Sequence, residues 1–346
     1  MADIRIITRE NGVGLSRDLQ LVAQVLAAAG HRVEAFGYGD SGLANRAREL
    51  GLWGRRALHG QVDVQIFIER VYHRCLPLAR RNLLMPNPEW FLPKWQQYLP
   101  RFERVLCKTR HGEEIFRAMG CRTVHTGFTS EDLFDPSVQK ENAFFHLAGR
   151  STAKGTEAVL AAWRQHPEWP RLTVVQHPKV ARLGATQPAN IVHRIDYLDA
   201  TELRRLQNSH RFHLCPSEAE GFGHYLMEGL GVGAVVLATN AAPMNELVTL
   251  DRGLLIEPAR SVRRGLVDFH AVDVAGIEVA VRRALALGDA QCLRLGAAAR
   301  LFFVENDLRF RDGLEAACMG ELLPDGGAVP QANPLFVQAD DGVAEA

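Results

Sequence analysis

The chain has 346 residues, 47% hydrophobic, 23% charged and 8% aromatic, which is globular material long enough for two cores. That balance excludes disordered, collagenous and low-complexity proteins. Forty basic and forty acidic side chains cancel, so no large single-sign field marks nucleic acid as a partner.

From the N-terminus, Ile4–Thr8 reads as a strand and Leu15–Ala29 as a helix with Leu15, Leu19, Val22 and Leu26 on one face. Gly30 stops that helix, and His31–Gly37 is the next strand. Val62–Ile68, Asn82–Met85, Val105–Lys108 and Arg122–His125 continue the series, with helices near 41–50 and 111–119. A polar stretch punctuated by Gly and Pro at 127–141 interrupts it. Ala143–Ala148 then restarts the alternation as a strand, followed by a helix at Lys154–Gln165, strands at Leu172–Gln176 and Asn190–His193, and a helix at Thr201–Asn208. Strands at Phe212–Cys215, Ala234–Ala238 and Leu254–Glu257, a helix at His224–Gly231 and helices near 271–287, 289–303 and 308–322 complete the count. Strands alternating with helices require crossovers and a parallel, doubly wound α/β sheet. Two Rossmann-like domains, 1–140 and 141–305, are the economical reading. Residues 323–346 hold three Pro and four acidic residues without a basic one, and are expected to be loose.

Residues 1–140 carry 20 Lys and Arg against 15 Asp and Glu, and residues 141–346 carry 20 against 25. A front half at +5 suits an anionic acceptor or a membrane surface, and ordinary scatter of surface charge gives the same split. The six cysteines form no CxxC pair and no Cys/His set at zinc spacing, so buried free thiols in a reduced, cytoplasmic protein are expected. The opening MADIRIITRE reads as a strand rather than a signal peptide. No apolar run approaches the roughly 18 residues of a membrane-spanning helix.

The densest chemical signal is SEAEGFGHYLME at 217–228. A strand ends in a loop where Gly221 and Gly223 let backbone amides approach a ligand, Phe222 lies between them, and a helix N-terminus adds a site for negative charge. Glu220 in the loop and Glu228 on the helix face one crevice at the strand ends, as acceptors for sugar hydroxyls. Upstream, Gly149-Arg150 ends a strand and Lys154-Gly155 starts a helix, which places two cations where a diphosphate would sit. Each set has a bland counterpart, a solvated helix face or surface charges at a helix start.

Together these residues resemble the retaining GT-B glycosyltransferases of family 4. Glu220 and Glu228 match the E-x7-E signature, and Arg150 and Lys154 match the element that holds the donor diphosphate. The segment LATNAAPMNELV resembles the family stretch ending in GGxPE, with Glu246 kept and Ala241, Ala242 and Asn245 in place of glycines and proline. GFTSEDLFDP resembles the interdomain linker. The resemblance implies two domains facing a cleft, with a helix at 306–322 recrossing to the front domain. It also implies hexosyl transfer from a nucleotide-sugar, UDP before GDP, to a glycan or glycolipid with retention. No cofactor and no metal ion are implied. Glu220, Arg150 and Lys154 carry the catalytic assignment, and Gly149, Gly221, Phe222, Gly223, Glu228 and Glu246 bind the donor.

The family's front-domain His is missing here. MPNPEW stands in its place, so Asn87 or Glu89 is the candidate there, with His73 and His111 as nearby alternatives, and Gly12 and Gly14 form a glycine turn after the first strand. Phe91, Trp95, Tyr98 and Phe102, interleaved with Lys94, Arg101 and Arg104, suggest either packing against the sheet or an acceptor platform with peripheral membrane contact. A catalytically silent GT-B subunit that binds a partner is the alternative. A dinucleotide oxidoreductase is excluded because no G-x-G-x-x-G follows either first strand.

Overall fold

A computed structural model describes residues 1–10, 14–39, 41–181, 188–196 and 198–321. Gly12 and the acidic tail at 323–346 lie outside the described residues.

Six parallel strands form the front sheet: β1 (Asp3–Arg9), β2 (Arg32–Tyr38), β3 (Val62–Ile68), β4 (Ala79–Met85), β5 (Arg104–Cys107) and β6 (Thr123–His125), in the order β2-β1-β3-β4-β5-β6. Helices α1 (Gly14–Ala28), α2 (Gly42–His59) and α3 (Arg110–Ala118) make crossovers. The second sheet holds β7 (Glu141–Gly149), β8 (Leu172–Gln176), β9 (Ile191–Arg194), β10 (His210–Cys215), β11 (Val235–Thr239) and β12 (Gly253–Ile256), also all parallel, in the order β12-β11-β10-β7-β8-β9. Its helices are α4 (Thr156–Gln165), α5 (Ala200–Ser209), α6 (His224–Gly231), α7 (Met244–Leu247) and α8 (Val274–Leu285). The strand order reverses between β1 and β3 in the first sheet and between β7 and β10 in the second. The crevice beyond the strand ends at such a switch is where open α/β sheets bind ligands.

The central strands read as continuous apolar runs because both faces are covered. Ile4, Ile6, Val64, Ile66, Leu83 and Met85 on the front sheet share one core with Leu226, Met227 and Leu230 of α6 and with Phe222. The two domains therefore meet through an apolar seam as well as a polar cleft.

The two helices expected at 289–303 and 308–322 are one helix, α9 (Asp289–Met319). The intervening Glu305-Asn306-Asp307 is polar but contains no Gly or Pro, so nothing breaks the backbone ladder. At 31 residues it spans about 46 Å. It packs Phe303 and Phe310 into the shared core, and Asn306 Nδ2 donates to the linker carbonyl of Phe128 at 2.6 Å. Its end reaches the front sheet, where Arg81 donates to the carbonyl of Cys318 and Arg104 to those of Gly320 and Glu321.

The helix expected near 271–287 starts later, at Val274, where Asp273 caps it by accepting from the Gly276 N–H. Before it comes a hairpin missed in the sequence, β13 (Arg260–Arg264) with β14 (Val267–Ala271). Gly265 supplies the positive φ, 59°, that its two-residue turn needs.

The aromatic segment after β4 is core. Phe91, Trp95, Leu99 and Phe102 are buried, and Phe91 meets Trp95 and Phe116 edge-on. Only Trp90 of its ring residues is largely exposed, at 61%. Pro93 and Pro100 shape it as 3-10 turns, Pro93–Arg101, which lay successive apolar residues onto the sheet. Among the described residues no helix is long and apolar enough to cross a membrane.

Candidate active site in the interdomain cleft

Two loops at the β7/β10 switch point build the C-terminal wall. Gly149 ends β7 and Arg150 follows it, exposed; Lys154 precedes Gly155, the N-cap of α4. Gly155 is fixed by space as well as by φ (66°), since a methyl group there would lie 2.6 Å from the Pro216 carbonyl oxygen. Between the loops, the Glu218 N–H donates to the Ala153 carbonyl at 2.9 Å. The Lys154 ammonium lies 2.6 Å from Glu220 Oε1 and 3.4 Å from the centroid of the Tyr225 ring. Ser217 also donates to Glu220. Lys154 and Glu220, 66 residues apart, thus form one ion pair beside the N-termini of α4 and α6, where Gly223 caps α6 with φ 99°. Phe222 is buried and meets Phe128 of the linker edge-on.

The front domain closes over this wall at Gly221. A methyl group on Gly221 would sit 2.6 Å from Asn87 Oδ1 and 2.8 Å from Glu89 Oε1. Asn87 is held by Lys108, which donates to its Oδ1 at 2.9 Å, and itself donates to Glu69. Glu69 has φ 64°, a left-handed conformation that costs a non-glycine residue strain of the kind found at functional sites. Glu89 Oε2 is buried and has no hydrogen-bond partner among the described residues. Burial first, and then the nearby Glu220 and Glu69 carboxylates, push the Glu89 carboxyl up to about 8 against the pull of its own backbone N–H and of Lys108.

That shift fixes a sign. Between its ordinary value and about 8, Glu89 binds a proton in the native state and loses it in the unfolded state, so stability falls as pH rises through this window. Glu89→Gln removes the cost. Its melting temperature should exceed that of the native chain at pH 8 and converge with it near pH 4, about the ordinary carboxylate value. Parallel melting curves for the two proteins across that range would contradict the assignment.

Glu228 is placed differently from its partner in the sequence pair. It is 2% exposed and bonds to Arg17 of α1 and to Gln207, whose Nε2 donates at 2.7 Å. Glu246 also spans the cleft, accepting from the backbone N–H groups of Arg110 and His111 at 2.7 Å each, in the first turn of α3. The carboxylate satisfies two donors that the helix cannot satisfy itself. Gly14 opens α1, with open space where a side chain would lie.

Residues absent from the sequence reading complete the seam. Asp18 of α1 accepts from Lys108 at 2.5 Å and pairs with His224 at 2.7 Å, and His224 hydrogen-bonds through its other ring nitrogen to Ser130 of the linker at 2.7 Å. Burial alone would raise the Asp18 carboxyl, but Lys108 and His224 outweigh it and hold it well below the usual range. The one signal in the sequence is a charged residue, Asp18, three positions after Leu15 and four before Val22, on the apolar face of its helix.

In sequence, the chain matches no protein-family model and no curated protein. In structure it is similar to a glycosyltransferase from Rickettsia africae ESF-5, at 14% identity over 92% of this chain and 98% of that one, with a TM-score of 0.65. Sucrose-phosphate synthase from Thermosynechococcus elongatus aligns at 15% identity over 92% and 97% of the two chains, TM-score 0.67. HepE from Anabaena, solved in complex with UDP-glucose, aligns at 12% identity over 92% and 100%, TM-score 0.69. The likeness establishes the fold, the paired Rossmann-like domains of GT-B glycosyltransferase structures.

Proposed function

We propose that the chain is a glycosyltransferase that moves a hexose from a nucleotide-sugar, a UDP-sugar by preference, to a glycan or glycolipid acceptor with retention and without a metal ion. The observation that carries this reading is the Lys154–Glu220 pair at two helix N-termini, with Asn87 and Glu89 delivered onto Gly221 by the other domain. The GT-B fold supports it. The donor diphosphate takes Lys154 from Glu220, joined by Arg150 and the free N–H groups of α4 and α6. Glu220 is then an open acceptor for hydroxyls of the transferred sugar. As the C1–O bond to the diphosphate breaks, its electron pair stays on the diphosphate. The acceptor oxygen attacks the same face, and its proton passes to a diphosphate oxygen. Glu89, protonated at neutral pH, donates a hydrogen bond at the sugar end of the cleft without adding a second negative charge beside Glu220.

Glu228 receives the nucleotide ribose once Arg17 gives way. Titration calorimetry of UDP in the presence of EDTA tests both points. UDP should bind without added metal, Glu228→Ala should weaken it about tenfold or more, as for a lost hydrogen bond to a charged group, and Arg17→Ala should leave it unchanged or tighter. Binding that vanishes in EDTA and returns with Mn²⁺ would overturn metal independence, and equal affinity in Glu228→Ala would remove the ribose role. Release of glucose from UDP-glucose without acceptor distinguishes an enzyme from a silent binding subunit.

A further inference from the structure

Helix α2 faces the wrong way for an ordinary surface helix. Of its eighteen residues only Leu52 is buried, packed in the front-domain core with Tyr38, Cys75 and Leu76. Leu43, Ala47, Leu50, Gly54 and Leu58 follow at steps of four, three, four and four residues, which is one continuous stripe. That stripe lies opposite Leu52 and points into solvent: Leu43 is 80% exposed, Leu50 72% and Leu58 80%. Trp53 flanks it, with the Arg56 guanidinium over its ring. An apolar stripe turned outward on a surface helix calls for something to cover it.

The charge beside the stripe selects the cover. Arg46, Arg48, Arg55 and Arg56 share this helix with one acidic residue, Glu49, which already pairs with Arg74; Arg55 pairs with Glu34 of β2, and Arg48 donates to the Gly37 carbonyl. Arg46 and Arg55 border the apolar face from its two sides. Three outward leucines, a tryptophan at the margin and flanking arginines are the composition of a helix that lies in a bilayer interface, apolar side in the acyl boundary and cations among anionic headgroups. A soluble apolar partner would match the leucines and leave Arg46, at their border, without a counter-charge. The N-terminal end of α2, capped by Ser41, follows the carboxyl end of β2. It therefore starts on the side of the sheet where the cleft opens.

We propose that α2 docks the front domain on an anionic lipid surface, with Leu43, Leu50 and Leu58 inserted and Arg46 on the headgroups. This moves the membrane contact from the aromatic segment at 91–102, which is core, to a helix whose exposed face is free to meet lipid. The proposal does not depend on the catalytic reading and is measured without turnover.

Vesicle flotation of the full chain tests it. The chain should float with vesicles of phosphatidylcholine mixed with phosphatidylglycerol and not with phosphatidylcholine alone, and binding should weaken at least about tenfold when salt is raised to 1 M, where the Debye length is about 3 Å. Replacing Leu43, Leu50 and Leu58 together by Ser should abolish flotation while UDP affinity and melting temperature stay at native values, because these side chains touch solvent. Arg46→Glu, at an exposed position, gives a second reading should the triple variant fold poorly, and should itself reduce binding to anionic vesicles. Equal flotation with neutral and anionic vesicles, or undiminished flotation of both variants, would overturn the proposal. So would light scattering that shows a native dimer converted to monomer by the triple variant, which would assign the stripe to a second copy of the chain.

Discussion

Lys154→Ala should lower the rate of glucose release from UDP-glucose by about 10²–10³-fold, the loss found when one preorganised donor to a developing oxyanion is removed. In the structure Lys154 is a held cation, paired with Glu220 at 2.6 Å over the Tyr225 ring. On the proposed reading its removal takes charge from the leaving diphosphate, and it also leaves Glu220 with Ser217 as its remaining partner. A stability loss must therefore be separated from a catalytic one. Arg150→Ala provides the separation, because Arg150 is exposed: its melting temperature should be native while its rate falls in the same direction. Native rates in both variants would remove the diphosphate site from this crevice.

Asp18→Ala should cost about 3–5 kcal/mol of stability, the range for breaking a buried ion pair by deleting one partner. Its neighbour Lys108 has a side chain 2% exposed, and deletion strands that ammonium in the seam between the domains. Asn87 and the face of Phe128 are then its remaining neighbours. Adding Lys108→Met should recover most of the loss, since an apolar side chain of similar length asks for no partner. Denaturant titration of the single and double variants measures this coupling. Additive losses, or a single-variant cost under about 1 kcal/mol, would show a solvated surface pair instead. The pH dependence has the opposite sign to that of Glu89. Asp18 is held below its ordinary value, so its contribution is complete above that value and disappears as pH falls through the lower, folded one.

Strand and helix placement was legible because periodicity survives any packing partner. Val62–Ile68, Leu172–Gln176 and His224–Gly231 coincide with observed elements, since apolar runs and helical spacing report burial directly. Errors gathered where burial was not the issue. The hairpin Arg260–Ala271 is mostly exposed on its first strand and alternates weakly. α9 looked like two helices because a polar patch at 305–307 was read as a break, whereas it is where the helix passes the linker and Asn306 meets the Phe128 carbonyl.

Within the site, the elements that act through local geometry were legible before any packing was known. A Gly-bounded loop followed by a helix, with Glu220 inside it, and a cation pair at another helix start are written in consecutive residues. Relations between residues that no periodicity links came only from the packing of the two domains. Asn87 and Glu89 could be named from their place after a strand, but their approach to Gly221 depends on how two sheets face each other. Glu228 and Glu246 show the same limit: one bonds Arg17 of α1 and the other the first turn of α3. Asp18, Lys108 and His224 left no clear trace in sequence, because a polar residue in an apolar stripe looks like noise until its partner, 90 or 206 residues away, arrives to neutralise it. The outward leucines of α2 are the converse case. The sequence reading placed only a helix near 41–50, and the packing of Leu52 on one face showed that the leucine stripe on the other looks outward.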